Sequence, residues 1–242
     1  MLFLFDIDGT LLRGMPPVHH KALIEAVRII FGVQVERADI GQTAGMTDIA
    51  ITRRMLLAQG IAPDAITAEL PAFFAIASET YARLVPDDLR PYRTPHAEMT
   101  LALLRERGEA LGLVTGNPER IAWIKLAHAG LAEYFHYPQE GAASEDEPDG
   151  RPIRCGAFGD EEELRDRLPP LAVERARRLF GRNWLPDEVY VVGDTPADIA
   201  CGAAHGLRTV AVATGSIHSL DQLRACSPTF AYADLSGLHE LV

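Results

Sequence analysis

The chain opens on four apolar residues, Leu2-Phe3-Leu4-Phe5, that run straight into Asp6-Ile7-Asp8-Gly9-Thr10. An apolar run this short reads as a strand buried on both faces and is far too short to cross a membrane. The pattern recurs twice. Ala110 to Val114 leads into Thr115-Gly116-Asn117-Pro118, and Val189 to Val192 leads into Gly193-Asp194, followed by Thr195-Pro196-Ala197-Asp198. In open α/β sheets, ligands bind at the carboxyl edge of the strands. An Asx turn would account for Asp8-Gly9 taken alone; the repetition of a buried strand ending in polar groups argues for a site.

Elsewhere the period is helical. Apolar positions Leu23, Ala26, Val27, Ile30 and Phe31 predict a helix from Val18 to Phe31, stopped by Gly32. Further helices are expected from Asp48 to Gln59 and from about Ala65 to Leu84, with Pro71 near the latter's first turns. No strand pattern interrupts residues 15–90, so an all-helical insertion follows the first strand. Ala97 to Arg107, a helix capped by Asn117 and running to about His128, Leu171 to Phe180, and Ile199 to His205 complete the larger helices. A last strand is expected near Thr209 to Val212, with short helical ends at Asp221 to Ala225 and Leu235 to Leu241.

Composition narrows the class. The 242 residues, 48% apolar and 24% charged, fit one large domain or a core with a smaller companion. A net charge of -11 argues against a nucleic-acid partner and against an anionic membrane surface. Any anion bound here needs local positive potential from a metal ion and a few bases. Cys155, Cys201 and Cys226 lack metal-ligand spacing and read as reduced thiols of a cytoplasmic protein. Asp6 interrupts the opening run too early for a signal peptide.

Only two of the 23 basic residues are lysines, Lys21 and Lys125. Lys125 lies about 10 Å along its helix from Pro118, at ~1.5 Å per residue, with its side chain tilted back toward the strand ends. A lysine kept in so arginine-biased a chain suggests a need for a compact point charge. The polar stretch Gly41 to Asp48 reads in two ways. Thr47 or Asp48 caps the next helix, or the stretch is a substrate-selecting loop in which Gly45 permits close approach. Arg53 and Arg54 would add charge only if they turn inward. His218 and His239 have no metal-ligand spacing, and Gly215-Ser216 reads first as a plain turn, with closure of the rim of the site as the other reading.

The order Asp6-x-Asp8, Thr115-Gly116-Asn117 and Gly193-Asp194-x-x-x-Asp198, each after its strand, resembles the haloacid dehalogenase superfamily over nearly the whole chain. The resemblance implies an α/β fold, a Rossmann-like parallel sheet with helices on both faces, plus an all-helical cap domain. Residues 1–12 and 95–242 would form the core and 13–94 the cap, with hinges near Gly14 and Pro91 to Pro95. It implies Mg²⁺ held by Asp6, Asp194 and the backbone carbonyl of Asp8, with Asp198 as a further ligand or water-orienting acceptor. Asp6 would be the nucleophile and Asp8 the general acid and base. Thr115 would bind the phosphoryl group, and Gly9, Thr10, Gly116, Asn117 and Gly45 would cradle it.

The family usually places a lysine in a Lys-Pro pair before its last acidic motif. This chain reads Glu161-Glu162-Glu163-Leu164-Arg165-Asp166-Arg167-Leu168-Pro169 there. Lys125 is the favoured replacement, with Arg165 or Arg167 the alternatives. The acidic Glu140 to Gly150 stretch is expected to be a loop outside the site. Within the resembled family an aspartate at position 8 implies a phosphatase or phosphomutase rather than a dehalogenase, and the helical cap, Asp6-x-Asp8 and the Gly193-Asp194-Thr195-x-x-Asp198 ending are most similar to phosphoglycolate-phosphatase-like members. The expectation is a Mg²⁺-dependent phosphatase of a small phosphorylated metabolite. A phosphomutase or a non-catalytic phosphate-binding module is the alternative.

Overall fold

The structure, a computed structural model, describes residues 1–137 and 154–241. The expected loop at 140–150 lies outside them. Six strands form one parallel sheet in the order β3-β2-β1-β4-β5-β6: β1 Leu2–Phe5, β2 Ala110–Val114, β3 Gly156–Ala157, β4 Val189–Gly193, β5 Arg208–Val212 and β6 Phe230–Tyr232. The opening apolar run is thus the middle of the sheet. Phe5 stands opposite Leu113 on one side and Val192 on the other, so the three motif-bearing strands end level with one another.

Alternation along the strands explains how both faces are covered. Phe3 and Phe5 join Leu111, Leu113, Tyr190 and Val192 beneath helices α5 (Ala97–Glu106) and α6 (Glu119–His128), while Leu2 and Leu4 join Val189 and Val191 against α7 (Leu168–Phe180). Full burial of each such side chain contributes about 1.5–3 kcal/mol. Helix α8 (Pro196–Ala203) starts three residues earlier than the pattern suggested, because Pro196 fits a first helical position and Thr195 forms a capping box with Asp198. The short helix α9 (Leu220–Arg224) and a 3₁₀ turn, Leu235–Leu241, close the chain. Strands β3 and β6 escape sequence reading because two and three residues carry no period.

Helices α1 (Val18–Phe31), α2 (Arg37–Ile40), α3 (Asp48–Ala58) and α4 (Pro63–Leu84) follow β1. They enclose a hydrophobic cluster drawn wholly from residues 23–77, centred on Phe73, which is separate from the sheet's own. Pro71 sits deep inside α4 rather than near its start, since Pro63 begins the helix. It is exposed, which places the disrupted turn on the solvent side. The two chain passages joining this unit to the sheet run side by side: Arg13 N–H donates to Tyr92 O (2.8 Å), and Thr94 N–H to Leu11 O (2.9 Å). No helix among the described residues is long and apolar enough to cross a membrane.

Helix α6 departs from expectation at its start. Its N-cap is Pro118, not Asn117. The first free amide, that of Glu119, donates instead to Asp160 Oδ1 at 3.0 Å. Asn117 is thereby released for the site. Burial pushes the Asp160 carboxyl up to about 7, against the opposing pull of the Glu119 amide.

Two outcomes follow. Phe73→Ala, which empties the centre of the helical cluster, should lower stability by about 3–5 kcal/mol in urea unfolding. For Asp160, the folded state holds a proton that the unfolded chain loses near 3.8. This contribution is therefore complete below that pH and is lost as pH rises toward 7. Asp160→Asn keeps an acceptor and cannot ionise, so its urea midpoint should improve relative to wild type between pH 4 and 8; a constant difference would refute the assignment.

Candidate active site

The site begins where the central strand stops. Asp6 stays in register, its N–H donating to Val192 O (3.0 Å), and the chain then coils so that the amides of Leu11 and Leu12 both return to Ile7 O (2.9 Å). Gly9 allows this with φ +86°, and it also allows contact with Asp194, whose carboxylate lies 2.2 Å from where a Cβ would stand. Gly215, read from sequence as a plain turn, presses on Asp194 from the other side, where a Cβ would fall 1.8 Å from Oδ2. Thr214 ties the two walls together by donating to Gly9 O at 2.6 Å.

Asp6, Asp194 and Asp198 are buried and offer carboxylate oxygens within 4.8 Å of one another. Burial, with repulsion from Asp198 and Asp6, pushes Asp194 up to about 8, and the Thr10 hydroxyl donates to its Oδ1 at 3.4 Å. Asp6 is raised to about 6, first by burial and then by Asp198 and Asp8, with Arg165 opposing. Three crowded, buried carboxylates are hard oxygen donors whose mutual repulsion a divalent ion such as Mg²⁺ would relieve, and the set fits that ion. Asp198 is the most committed of the three. Its Oδ1 accepts from Arg165 Nη2 (2.5 Å) and its Oδ2 from the Thr195 amide (3.0 Å) and hydroxyl (2.6 Å).

Both candidate cations reach the site, at different carboxylates. Arg165, its side chain 9% exposed just ahead of α7, lies 3.3 Å from Asp6 Oδ1. Lys125, 1% exposed, donates to Asp8 Oδ2 and to Asn117 Oδ1, each at 2.6 Å. Lys125 therefore faces Asp8 rather than Asp6. Arg167 is not brought in; it is exposed and pairs with Glu162 at 3.7 Å. Burial would raise the Asp8 carboxyl, but the charge and hydrogen bond of Lys125, with the Asn117 amide, outweigh it and hold the group below its usual value. Asn117 Nδ2 donates to Asp8 Oδ2 (2.8 Å) and to Thr115 Oγ1 (2.7 Å), and the fully buried Thr115 hydroxyl also supports Asp6.

The helical unit closes over these groups. Thr47 is the N-cap of α3, accepting from the Ala50 amide (3.3 Å), and its hydroxyl donates to Glu163 O (2.7 Å). The amides of Asp48 and Ile49 donate to Gly116 O (2.9 Å) and Gly159 O (3.0 Å). The capping reading of this stretch is thus realised, and the close approach at Gly45 is to α8: a Cβ there would lie 2.4 Å from Ala197 Cβ. Arg53 pairs with Glu163 and Arg54 holds Gln42 O, so neither lines the cavity.

What remains between the layers is a cavity of about 430 Å³, lined by Asp6, Asp8, Gly9, Gly45, Gly116, Asn117, Lys125, Arg165 and Asp194. From the helical side it receives His19, His20, Arg37, Asp48 and Tyr81. Sequence reading missed four of them as site residues; Asp48 lies in the Gly41 to Asp48 stretch, read as a helix cap or part of a substrate-selecting loop. A His-His pair at the start of an amphipathic helix was the one available signal, and nothing local showed that this end of α1 faces the strands. Burial, then Arg37 and His19, lowers His20 to about 4.

Comparison with known proteins agrees with this arrangement. A phosphoglycolate phosphatase of Cereibacter sphaeroides is 29% identical over 220 residues, spanning 89% of this chain and 86% of its own. One from Rhodobacter capsulatus is 27% identical over 242 residues, spanning 98% and 95%. The fold matches the crystal structure of a hydrolase from Pseudomonas syringae with a TM-score of 0.61, at 18% identity and with 98% and 95% of the two chains covered. A family model for haloacid dehalogenase-like hydrolases matches residues 1–206, and the chain belongs to that family of enzymes.

Proposed function

We propose that this enzyme is a Mg²⁺-dependent phosphatase of a small phosphorylated metabolite resembling phosphoglycolate. One observation carries the reading. Two carboxylates at the end of the central strand face one cavity and are held by different cations, Asp6 by Arg165 and Asp8 by Lys125. Separate environments for neighbouring acids are what a nucleophile and a proton carrier require. The named relatives support the substrate class.

In this reading an oxygen of Asp6 attacks phosphorus, the ester P–O bond breaks, and Asp8 gives its proton to the departing alkoxide. Asp8 then takes a proton from water as that water attacks the aspartyl-phosphate, releasing inorganic phosphate and restoring Asp6. Mg²⁺, held by Asp6, Asp194 and the Asp8 carbonyl, would screen the charge on the transferring group when bound. Asp198 keeps Arg165 aimed at Asp6, and the helical unit acts as a cap that excludes water. Arg165 stands in the stretch where the family commonly has lysine, and from beside Asp6 its guanidinium would offset the charge of the transferring phosphoryl group. Thr115 and Asn117 fix Asp6 and Asp8.

Phosphate release from 2-phosphoglycolate, sugar phosphates and an aryl phosphate, with Mg²⁺ or with EDTA, tests this directly. Metal-dependent turnover is expected, lowered about 10³-fold or more in Asp6→Asn, and isomerisation of a sugar phosphate without phosphate release would replace the phosphatase with a mutase. Arg165→Ala should cost roughly 10²–10³ in kcat, the scale of one lost charge-stabilising donor; unchanged kcat would remove Arg165 from the chemistry.

A further inference from the structure

Lys125 raises a question that its contact with Asp8 does not answer. A fully buried ammonium carries three N–H donors and accepts nothing. Two of its donors are met within the sheet domain by Asp8 Oδ2 and Asn117 Oδ1. The third is directed at His19 Nδ1, 3.4 Å away on helix α1. Because the ammonium can only donate, Nδ1 must be the bare nitrogen and Nε2 must carry the ring proton. Asp48 accepts that proton, Nε2 to Oδ2 at 2.6 Å, from the first residue of α3, where it is 2% exposed.

The chain then closes on itself. Asp48's own amide donates to Gly116 O, the neighbour of Asn117, so Gly116, Asp48, His19, Lys125 and Asn117 form a ring across the junction of the two layers. Tyr81 of α4 packs edge-on against His19 (5.9 Å between centroids), and its ring lies 5.9 Å from Lys125 Nζ. If the helical unit lifts from Gly116, His19 and Asp48 leave together, and the buried ammonium loses its third acceptor. The groups fixing Asp8 are complete only with the helical unit seated.

We infer that His19 and Asp48 are positioning residues, acting through Lys125 to hold Asp8 in line with the departing oxygen and so tying proton donation to the seating of the helices over the sheet. The inference rests on the phosphatase reading, in which Asp8 protonates the leaving group. It has a signature that a structural role lacks. An alkoxide leaving group needs that proton, whereas 2,4-dinitrophenolate departs nearly unaided. Loss of Asp8 alignment must therefore be felt far more by the alkyl ester.

The experiment compares kcat/KM for 2-phosphoglycolate and for 2,4-dinitrophenyl phosphate in wild type, His19→Ala, His19→Asn and Asp48→Ala, with circular dichroism to establish folding. His19→Ala and Asp48→Ala are expected to lose about 30-fold or more on the alkyl ester and at least tenfold less than that on the aryl ester, within the general-acid range. His19→Asn, which keeps an acceptor near the place of Nδ1, is expected to recover much of the alkyl-ester activity. Equal losses on both esters, or none, in folded variants overturn the inference while leaving the phosphatase reading intact. Failure of wild type to hydrolyse either ester overturns both.

Discussion

Everything at this site follows from gathering like charges. Two adjacent parallel strands, β1 and β4, that end level with one another bring Asp6, Asp8, Asp194 and Asp198 to one edge of the sheet. Carboxylates this close repel, and burial adds the cost of lost hydration. The raised Asp6 and Asp194 record that cost. Each nearby feature offsets part of it: Arg165 between Asp6 and Asp198, Lys125 on Asp8, the hydroxyls of Thr10 and Thr195, and the fit of the remaining oxygens to a divalent cation.

The same constraint explains the shape of the lid. A cluster of acids that must be neutralised cannot also be open to water and remain strongly coupled, because exposed charges are screened. The helical unit closes the site with backbone groups, the first amides of α3 meeting Gly116 O and Gly159 O. Glycine is required where these surfaces meet. A Cβ on Gly116 would stand 2.1 Å from Met46 O, and one on Gly45 would strike Ala197. The unit's separate hydrophobic cluster lets it hold its own fold while resting on so polar a junction.

How far the sequence could be read follows from the range of each signal. β1, β2 and β4 were legible because buried parallel strands are short apolar runs, and α1 because its apolar stripe and Gly32 leave no other reading. β3 and β6 were not, since pairing to a neighbour rather than local pattern makes them strands. Asn117 was read as a cap because the helix follows it; that Asp160, more than 40 residues on, takes the cap's work is a tertiary fact. Lys125 was found from its rarity, but its target was not, because a helix period gives a direction and not a partner. Arg165 stood among several arginines in an acidic run, and only its burial distinguishes it from Arg167.

The division between the two cations has its own logic. Arginine presents a planar fork that can face a carboxylate and the oxygens of a phosphoryl group together, whereas an ammonium directs three separate donors and can be tied into a cage. Arg165 makes the first kind of contact, its Nη2 shared by Asp6 and Asp198. Lys125 makes the second, with Asp8, Asn117 and His19 around it. A cage of this kind favours ionised Asp8 in the resting site, which under the proposed mechanism is the form that takes a proton from water. In the proposed reaction, the arrival of a phosphate dianion beside Asp8 would oppose Lys125 and favour the protonated form that an alkoxide leaving group requires. One side chain can then serve both halves of the reaction because the substrate's own charge resets it.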